Sequence, residues 1–263
     1  EKDAQVEKVA GNYQFVEGPV WNPEGFLLFS DIPANQIIKY TPGSVPTVFR
    51  TPSGNSNGLT YDRRGRLILC EHGNRRVSRV EADGSHTVLA DNYEGKKLNS
   101  PNDVVVRSDG TIYFTDPPYG IPEGQKQELA FQGVFKISPG GKLSLLAKDF
   151  DRPNGIALSP DEKTLYVADS NRHHVRAFDV GRDGQISNGR IFAEMKSQRP
   201  GVPDGMRLDR EGNVYAAGAG GVWVFDKTGN HLGTIAMSEL PANCAWGDED
   251  YRTLYLTART ALY

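Results

Sequence analysis

Six residues of this chain have side chains suited to oxygen ligation and recur in one setting: Glu17, Asn57, Asn102, Asn154, Asp204 and Asn243. Each leads into an apolar run, as in Glu17-Gly18-Pro19-Val20, Asn57-Gly58-Leu59, Asn154-Gly155-Ile156 and Asp204-Gly205-Met206. Carboxylates and carboxamides without thiolate or imidazole suit a hard divalent cation: Ca²⁺, Mg²⁺ or Mn²⁺. Glu17 resists a purely conformational explanation, because Glu is not a turn former and Gly18-Pro19 already supply the bend. Asn57 and Asn243 have such an explanation, since Asn tolerates the left-handed backbone of a turn into a strand. A Glu and an Asp aimed into one narrow channel repel each other and hydrate poorly, and a bound cation would remove both costs.

The spacing says what holds these residues. The pattern returns at intervals of roughly 40–50 residues and is built of strands, which predicts a propeller. Six copies predict six four-stranded antiparallel blades in a single all-β domain over residues 1–263, with the six polar residues ringed about the axis. Second strands are expected near Phe26–Phe29, Arg66–Leu69, Thr111–Phe114, Thr164–Val167, Asn213–Ala216 and Thr253–Leu256. Third and fourth strands follow in five blades; the sixth has room for only the start of a third. Its outer strand is expected from Gln5–Val9, which would close the ring and leave no free edge. The short first turns, such as Pro23-Glu24-Gly25 and Asp109-Gly110, use many of the chain's acids as turn formers. Longer connections, residues 91–101, 194–203 and above all 117–131, gather at the opposite face, around the polar ring. The last has the length of a lid.

Composition excludes several classes of partner. The chain has 263 residues, 38% hydrophobic and 24% charged, with a net charge of −3. No basic stripe suits nucleic acid, and no apolar run approaches the ~20 residues of a membrane helix. Cys70 and Cys244 fall in strands of different blades and read as free buried thiols, which favours a reducing, cytoplasmic compartment. The first residue is Glu rather than Met, so the periplasm stays open.

Other chemistries lack their signatures: there is no Gly-x-Ser-x-Gly, His-Glu-x-x-His or phosphate-binding loop. His72, in Cys70-Glu71-His72-Gly73, could line the channel entrance or simply be hydrogen-bonded in place. His173 and His174 read as packed or solvated. Asp31, Asp116 and Asp169 end second strands and read as turn caps or partners of the ring.

At this point the chain resembles the regucalcin–gluconolactonase family. The resemblance rests on Glu17-Gly18-Pro19-Val20-Trp21, Phe29-Ser30-Asp31-Ile32, Ser100-Pro101-Asn102-Asp103 and Phe114-Thr115-Asp116-Pro117-Pro118-Tyr119-Gly120. Arg152-Pro153-Asn154-Gly155-Ile156 and Val202-Pro203-Asp204-Gly205 complete it. It implies a lactonase acting on a small sugar lactone, with one divalent metal bound by Glu17, Asn154 and Asp204. Asn102 would be a fourth ligand or a substrate contact, Asp103 and Tyr119 substrate contacts, and Asp204 also the general base. Ca²⁺ is expected, with Zn²⁺ possible beside Mg²⁺ and Mn²⁺, in a monomer or weak homodimer. Animal members carry Arg where this chain has Ser100, and Pro-Pro-Tyr-Gly is similar to the bacterial branch. The same cage could hydrolyse phosphotriesters or aromatic lactones. A non-catalytic binding platform would not need Glu17 and Asp204 to face one axis, and strictosidine-synthase-like chemistry would share the fold without this ligand set.

Overall fold

The computed structural model describes residues 5–263, and every regular element in them is a β-strand. Blade 1 comprises β1 (Val16–Asn22), β2 (Phe26–Asp31), β3 (Gln36–Tyr40) and β4 (Thr47–Arg50). Blade 2 comprises β5 (Ser56–Tyr61), β6 (Leu67–Glu71), β7 (Arg76–Val80) and β8 (His86–Ala90). A two-stranded hairpin, β9 (Asn92–Tyr93) and β10 (Lys96–Lys97), decorates the connection to blade 3. Blade 3 is β11 (Val104–Val106), β12 (Ile112–Asp116), β13 (Gly133–Ile137) and β14 (Leu143–Ala147). Blade 4 is β15 (Pro153–Leu158), β16 (Thr164–Asp169), β17 (His174–Val180) and β18 (Ile186–Glu194). Blade 5 is β19 (Met206–Leu208), β20 (Val214–Gly218), β21 (Gly221–Phe225) and β22 (His231–Ala236). Blade 6 has three strands, β23 (Pro241–Gly247), β24 (Thr253–Ala258) and β25 (Ala261–Leu262). Each sheet runs in sequence order with antiparallel neighbours, so the six-bladed propeller expected from the repeat is the fold.

Second strands are buried almost throughout, whereas the fourth strands β4, β18 and β22 are largely exposed. A blade buries its faces only against its neighbours, and the core is accordingly divided among the blade interfaces. Ile68, Cys70 and Val77 pack on Phe114 and Phe135 between blades 2 and 3. Val222 packs on Cys244 and Leu256 between blades 5 and 6. The two cysteines therefore lie in separate interfaces, buried and free.

The ring closes near the place expected, with less pairing than expected. Val9 N–H donates to Leu262 O at 2.9 Å and Leu262 N–H to Ala10 O at 2.9 Å. This is one antiparallel bridge at Ala10–Leu262, not a strand over Gln5–Val9. The partner strand β25 spans only two residues and offers no longer ladder. Tyr13 N–H to Thr260 O at 3.1 Å continues the seam.

The innermost strands are irregular where the polar residues stand. Register shifts interrupt β1 between Glu17 and Val20, β5 between Ser56 and Leu59, β15 between Pro153 and Ile156, and β23 between Pro241 and Asn243. In blades 3 and 5 the first strand begins only after Asn102 and Asp204. Such bulges re-aim side chains out of the pleat, and here they sit at four of the six ring positions.

Candidate metal and substrate site

Three amides of the ring form a directional relay. Asn57 Nδ2 donates to Asn102 Oδ1 at 2.6 Å, and Asn102 Nδ2 donates to Asn154 Oδ1 at 2.6 Å. Asn154 Nδ2 donates to Ser170 Oγ at 3.1 Å, and Ser170 Oγ donates to Pro203 O at 2.7 Å, beside Asp204. Asn57 and Asn243 were open to an explanation as left-handed turn residues. Neither has positive φ. Asn57 orients Asn102, and Asn243 hydrogen-bonds the Glu17 carboxylate.

The glycines that follow ring residues serve close approach. A Cβ on Gly58 would meet the Asn102 carbonyl and Asp103, one on Gly155 the Asp204 carbonyl, and one on Gly205 the Asn243 amide. Gly58 N–H instead donates to Asn102 O at 2.7 Å and Gly205 N–H to Ala242 O at 2.7 Å. The Asn-Gly pairs thus bring neighbouring inner strands into direct contact, which is what narrows the channel around the ring.

Two carboxylates complete the ring. Glu17 is buried, with Oε2 accepting Gly18 N–H at 2.8 Å. Burial pushes its pKa up to about 7, with the Asp103 charge adding to the shift and the Gly18 and Asn243 hydrogen bonds opposing it. Asp204 keeps some exposure, yet is set deep among protein atoms. Desolvation, then the charges of Glu17 and Asp103, hold its carboxyl well above the usual range, against hydrogen bonds from Asn154 and Gly205. The Arg207 charge lowers Glu17 as the smallest of these effects, and none of the six ring positions carries a cationic side chain.

The residues present fit a hard cation. Carboxylates of Glu17 and Asp204 and amide oxygens of Asn154 and Asn102 are all-oxygen donors, and their charge calls for a counter-ion. Among the described residues no group of three or more His, Cys, Asp or Glu side chains is placed to hold an ion. An ion at this ring therefore depends on the amides, whose orientation the relay fixes.

The other expected contacts divide by position. Asp103 is buried and fully engaged: Oδ1 accepts Val104 N–H at 2.9 Å, and Oδ2 accepts Ile156 N–H at 3.3 Å and lies 3.5 Å from the Arg207 guanidinium. Arg207 lines a separate cavity of about 1610 Å³ at the opposite mouth, with Trp21, Trp246 and the short first turns, and no ring residue reaches it. Asp103 thus braces the ring from below, where its carboxylate is taken up by two backbone amides and Arg207 rather than standing free as a substrate contact. His72 is buried, with Nε2 at 3.4 Å from Asn57 Nδ2. Desolvation lowers its pKa to about 4, so the imidazole is neutral near pH 7 and serves the relay as a wall.

Tyr119 is exposed at the mouth, with its phenol beside Ser170, Asp204 and Arg152. The 117–131 segment that carries it is tied down at both ends. Ser100 Oγ donates to Pro117 O at 2.6 Å and accepts Gly120 N–H at 2.9 Å. Buried Arg75 reaches Gln125 Oε1 and Lys126 O, both at 3.2 Å. Gly120 lies flush on the His72 ring, where any Cβ would collide. Asp31, Asp116 and Asp169 behave as caps, accepting N–H groups of Gln14, Asn99 and Asp151 respectively.

Ser170, Arg152 and Arg75 are site residues that the pattern search did not single out. Ser170 had a detectable signal: it follows the strand-end acid Asp169 as His72 follows Glu71, and both side chains hydrogen-bond a ring amide.

A narrow channel through a six-bladed propeller, ringed by amides and two desolvated carboxylates beneath an anchored loop, places this chain among the propeller hydrolases. The chain belongs to the SMP-30/gluconolactonase/LRE-like family, whose model matches residues 15–260. It is 36% identical to a gluconolactonase of Zymomonas mobilis, over 96% of this chain and 78% of that protein. A solved gluconolactonase from Xanthomonas campestris superposes with a TM-score of 0.90 at 35% identity, covering 97% of this chain and 86% of the other. The regucalcin of Xenopus laevis is 28% identical over 95% of this chain and 85% of its own length.

Proposed function

We propose that this protein hydrolyses sugar lactones, with Asp204 as general base and one divalent cation held by Glu17, Asn154 and Asp204. Asn102 is the fourth ligand or the first substrate contact. The observation that carries the reading is the pairing of Glu17 and Asp204, two carboxyls driven upward by desolvation in a ring whose six positions carry no cationic side chain. Relatives of substantial identity named gluconolactonase, and a 27% identical pentonolactonase of Haloferax volcanii, support a sugar lactone as the substrate class. The oxygen-only donor set supports Ca²⁺ ahead of Mg²⁺, Mn²⁺ or Zn²⁺.

A cation held here would polarise the lactone carbonyl and offset the negative charge that forms on its oxygen. The protein's own groups do the rest. Asp204, ionised in that setting, accepts a proton from the attacking water. Asn154, fixed by Asn102 and Ser170, keeps the Asp204 carboxylate oriented. The Tyr119 hydroxyl offers a hydrogen bond to sugar hydroxyls, the kind of contact that discriminates strongly. The loop over the channel limits bulk water.

The test is acid release from glucono-1,5-lactone with and without chelator. Wild type should show a chelator-sensitive rate well above spontaneous hydrolysis, and Asp204→Asn should lose at least ~100-fold. A chelator-insensitive rate, or full activity in the variant, would overturn the reading and favour a binding platform.

A further inference from the structure

Arg152 enters the site from an unusual backbone conformation. Its φ is +72°, the left-handed region, although it is not glycine. Two hydrogen bonds hold it there: its N–H donates to Gln132 Oε1 at 2.9 Å, and its carbonyl accepts Ser170 N–H at 3.0 Å. A non-glycine residue kept in a sparsely populated region beside a site is a reason to ask what its side chain does. The guanidinium lies over the Tyr119 ring, 4.9 Å from its centroid. The Tyr119 phenol is also near Ser170 and Asp204. One wall of the mouth therefore presents a guanidinium and a phenol near the proposed base.

Ser100 sharpens the point. That position is spent on the loop, through Pro117 O and Gly120 N–H, and cannot carry a cationic arm into the pocket. Arg152, two residues before the ring amide of the next blade, brings a guanidinium to the same mouth from a different blade.

We propose that Arg152 is a specificity-determining residue that reads the hydroxyls of a polyhydroxylated lactone and the carboxylate of the aldonate it becomes. This rests on the lactonase reading above. The planar fork of N–H donors suits vicinal hydroxyls and carboxylate, and stacking on Tyr119 holds the fork in one plane before substrate arrives. The contact is to substrate substituents, not to the reacting carbonyl, so it governs binding more than turnover. A lactone without hydroxyls gains nothing from it.

The informative variant is Arg152→Asn, because Asn tolerates positive φ and so spares the backbone. For glucono-1,5-lactone, KM should rise about tenfold with kcat within about twofold, while γ-butyrolactone hydrolysis is unchanged. Arg152→Lys should restore part of the loss, as a point charge without the fork. Tyr119→Phe keeps the stacking and should leave most of the Arg152 effect in place. A second readout needs no turnover: sodium gluconate should raise the thermal midpoint of wild type and raise that of Arg152→Asn much less. Equal loss on both lactones, an unchanged KM, or a gluconate shift that is absent or equal in the two proteins would overturn the proposal. If wild type shows no lactonase activity but the gluconate shifts differ, the reaction assignment fails and the Arg152 contact stands.

Discussion

Arg207 and Asp103 meet on the far side of the ring, with guanidinium and carboxylate 3.5 Å apart. Asp103 is buried and Arg207 partly exposed to the cavity at the opposite mouth. The carboxylate also holds the amides of Val104 and Ile156, so it ties blade 3 to blade 4 just below Asn102 and Asn154. Arg207 stands on the strand that follows Asp204. The pair therefore links the strand that follows Asp204 to those that follow Asn102 and Asn154 through one ionic contact.

Removing Arg207 alone should cost on the order of 3 kcal/mol in denaturant unfolding, because Asp103 is left buried and charged. Arg207→Met combined with Asp103→Asn should recover a large part of that loss, since the uncompensated charge is gone. Additive losses in the double variant would show that the two residues act independently.

Most of the fold was legible in the chain, and the reasons are physical. Glycine-bounded apolar strands repeat, and a blade cannot exist alone, so Asn57, Asn102, Asn154 and Asp204 had to converge on one axis. The reason for the glycines was not legible. Asn57-Gly58 is also what a left-handed turn looks like in sequence, and only the close approach of the Asn102 carbonyl distinguishes the two uses. Asp103 was equally ambiguous, since an acid beside a ring amide can face substrate or brace a strand. Its partner Arg207 lies about a hundred residues away, with nothing local to announce it. The seam at Ala10–Leu262 was foreseen in place but not in extent, because pairing length depends on β25.

The glycine reading has its own test. Gly155→Ala puts a Cβ against the Asp204 carbonyl, a backbone atom that cannot rotate away. Overpacking of this kind costs about 1–3 kcal/mol, and here it also displaces the strand bearing Asp204. Stability and divalent-cation affinity should fall together. Gly25→Ala, where a Cβ meets nothing, strains only a surface turn and should leave cation affinity unchanged.

Gly120 makes a complementary prediction about the loop. A methyl group there would strike the His72 ring, so Gly120→Ala should lift the 117–131 segment without disturbing the blades. Faster proteolysis within that loop and a raised KM for glucono-1,5-lactone are expected, with the thermal midpoint within a few degrees of wild type. An unchanged loop cleavage rate would show that the segment is not seated through Gly120.

Buried Asp116 and His72 give stability opposite dependences on pH. Burial raises Asp116 from 3.8 to about 7, so the folded protein retains a proton that the unfolded chain releases. Its contribution is full below about pH 4 and is lost as pH rises toward 7. Burial lowers His72 from 6.5 to about 4, so its contribution is present above 6.5 and lost as pH falls toward 4. Asp116→Asn should gain on wild type as pH rises through this window, and His72→Gln should gain as pH falls. Denaturant midpoints of the three proteins from pH 4 to 8 measure both slopes. Parallel curves would refute both assignments.

Cation binding should release protons. Glu17 is held up to about 7 and Asp204 well above the usual carboxylate range while they face each other. Oxygen ligation requires both to be ionised, so an incoming cation must displace whatever protons they hold. Affinity for Ca²⁺ should therefore rise as pH increases through 7, and fall below it, the sign expected when protons compete for the ligands. Calorimetric titration at pH 7 in two buffers of different ionisation enthalpy reads the proton count directly. Glu17→Gln removes one of the titrating ligands, so both the affinity and the number of protons released should drop. Because the protons belong to a coupled pair, the count is expected to be fractional and to change smoothly with pH. A Ca²⁺ affinity that is constant between pH 6 and 8, with no proton release, would mean that the ring carboxylates are not the ligands.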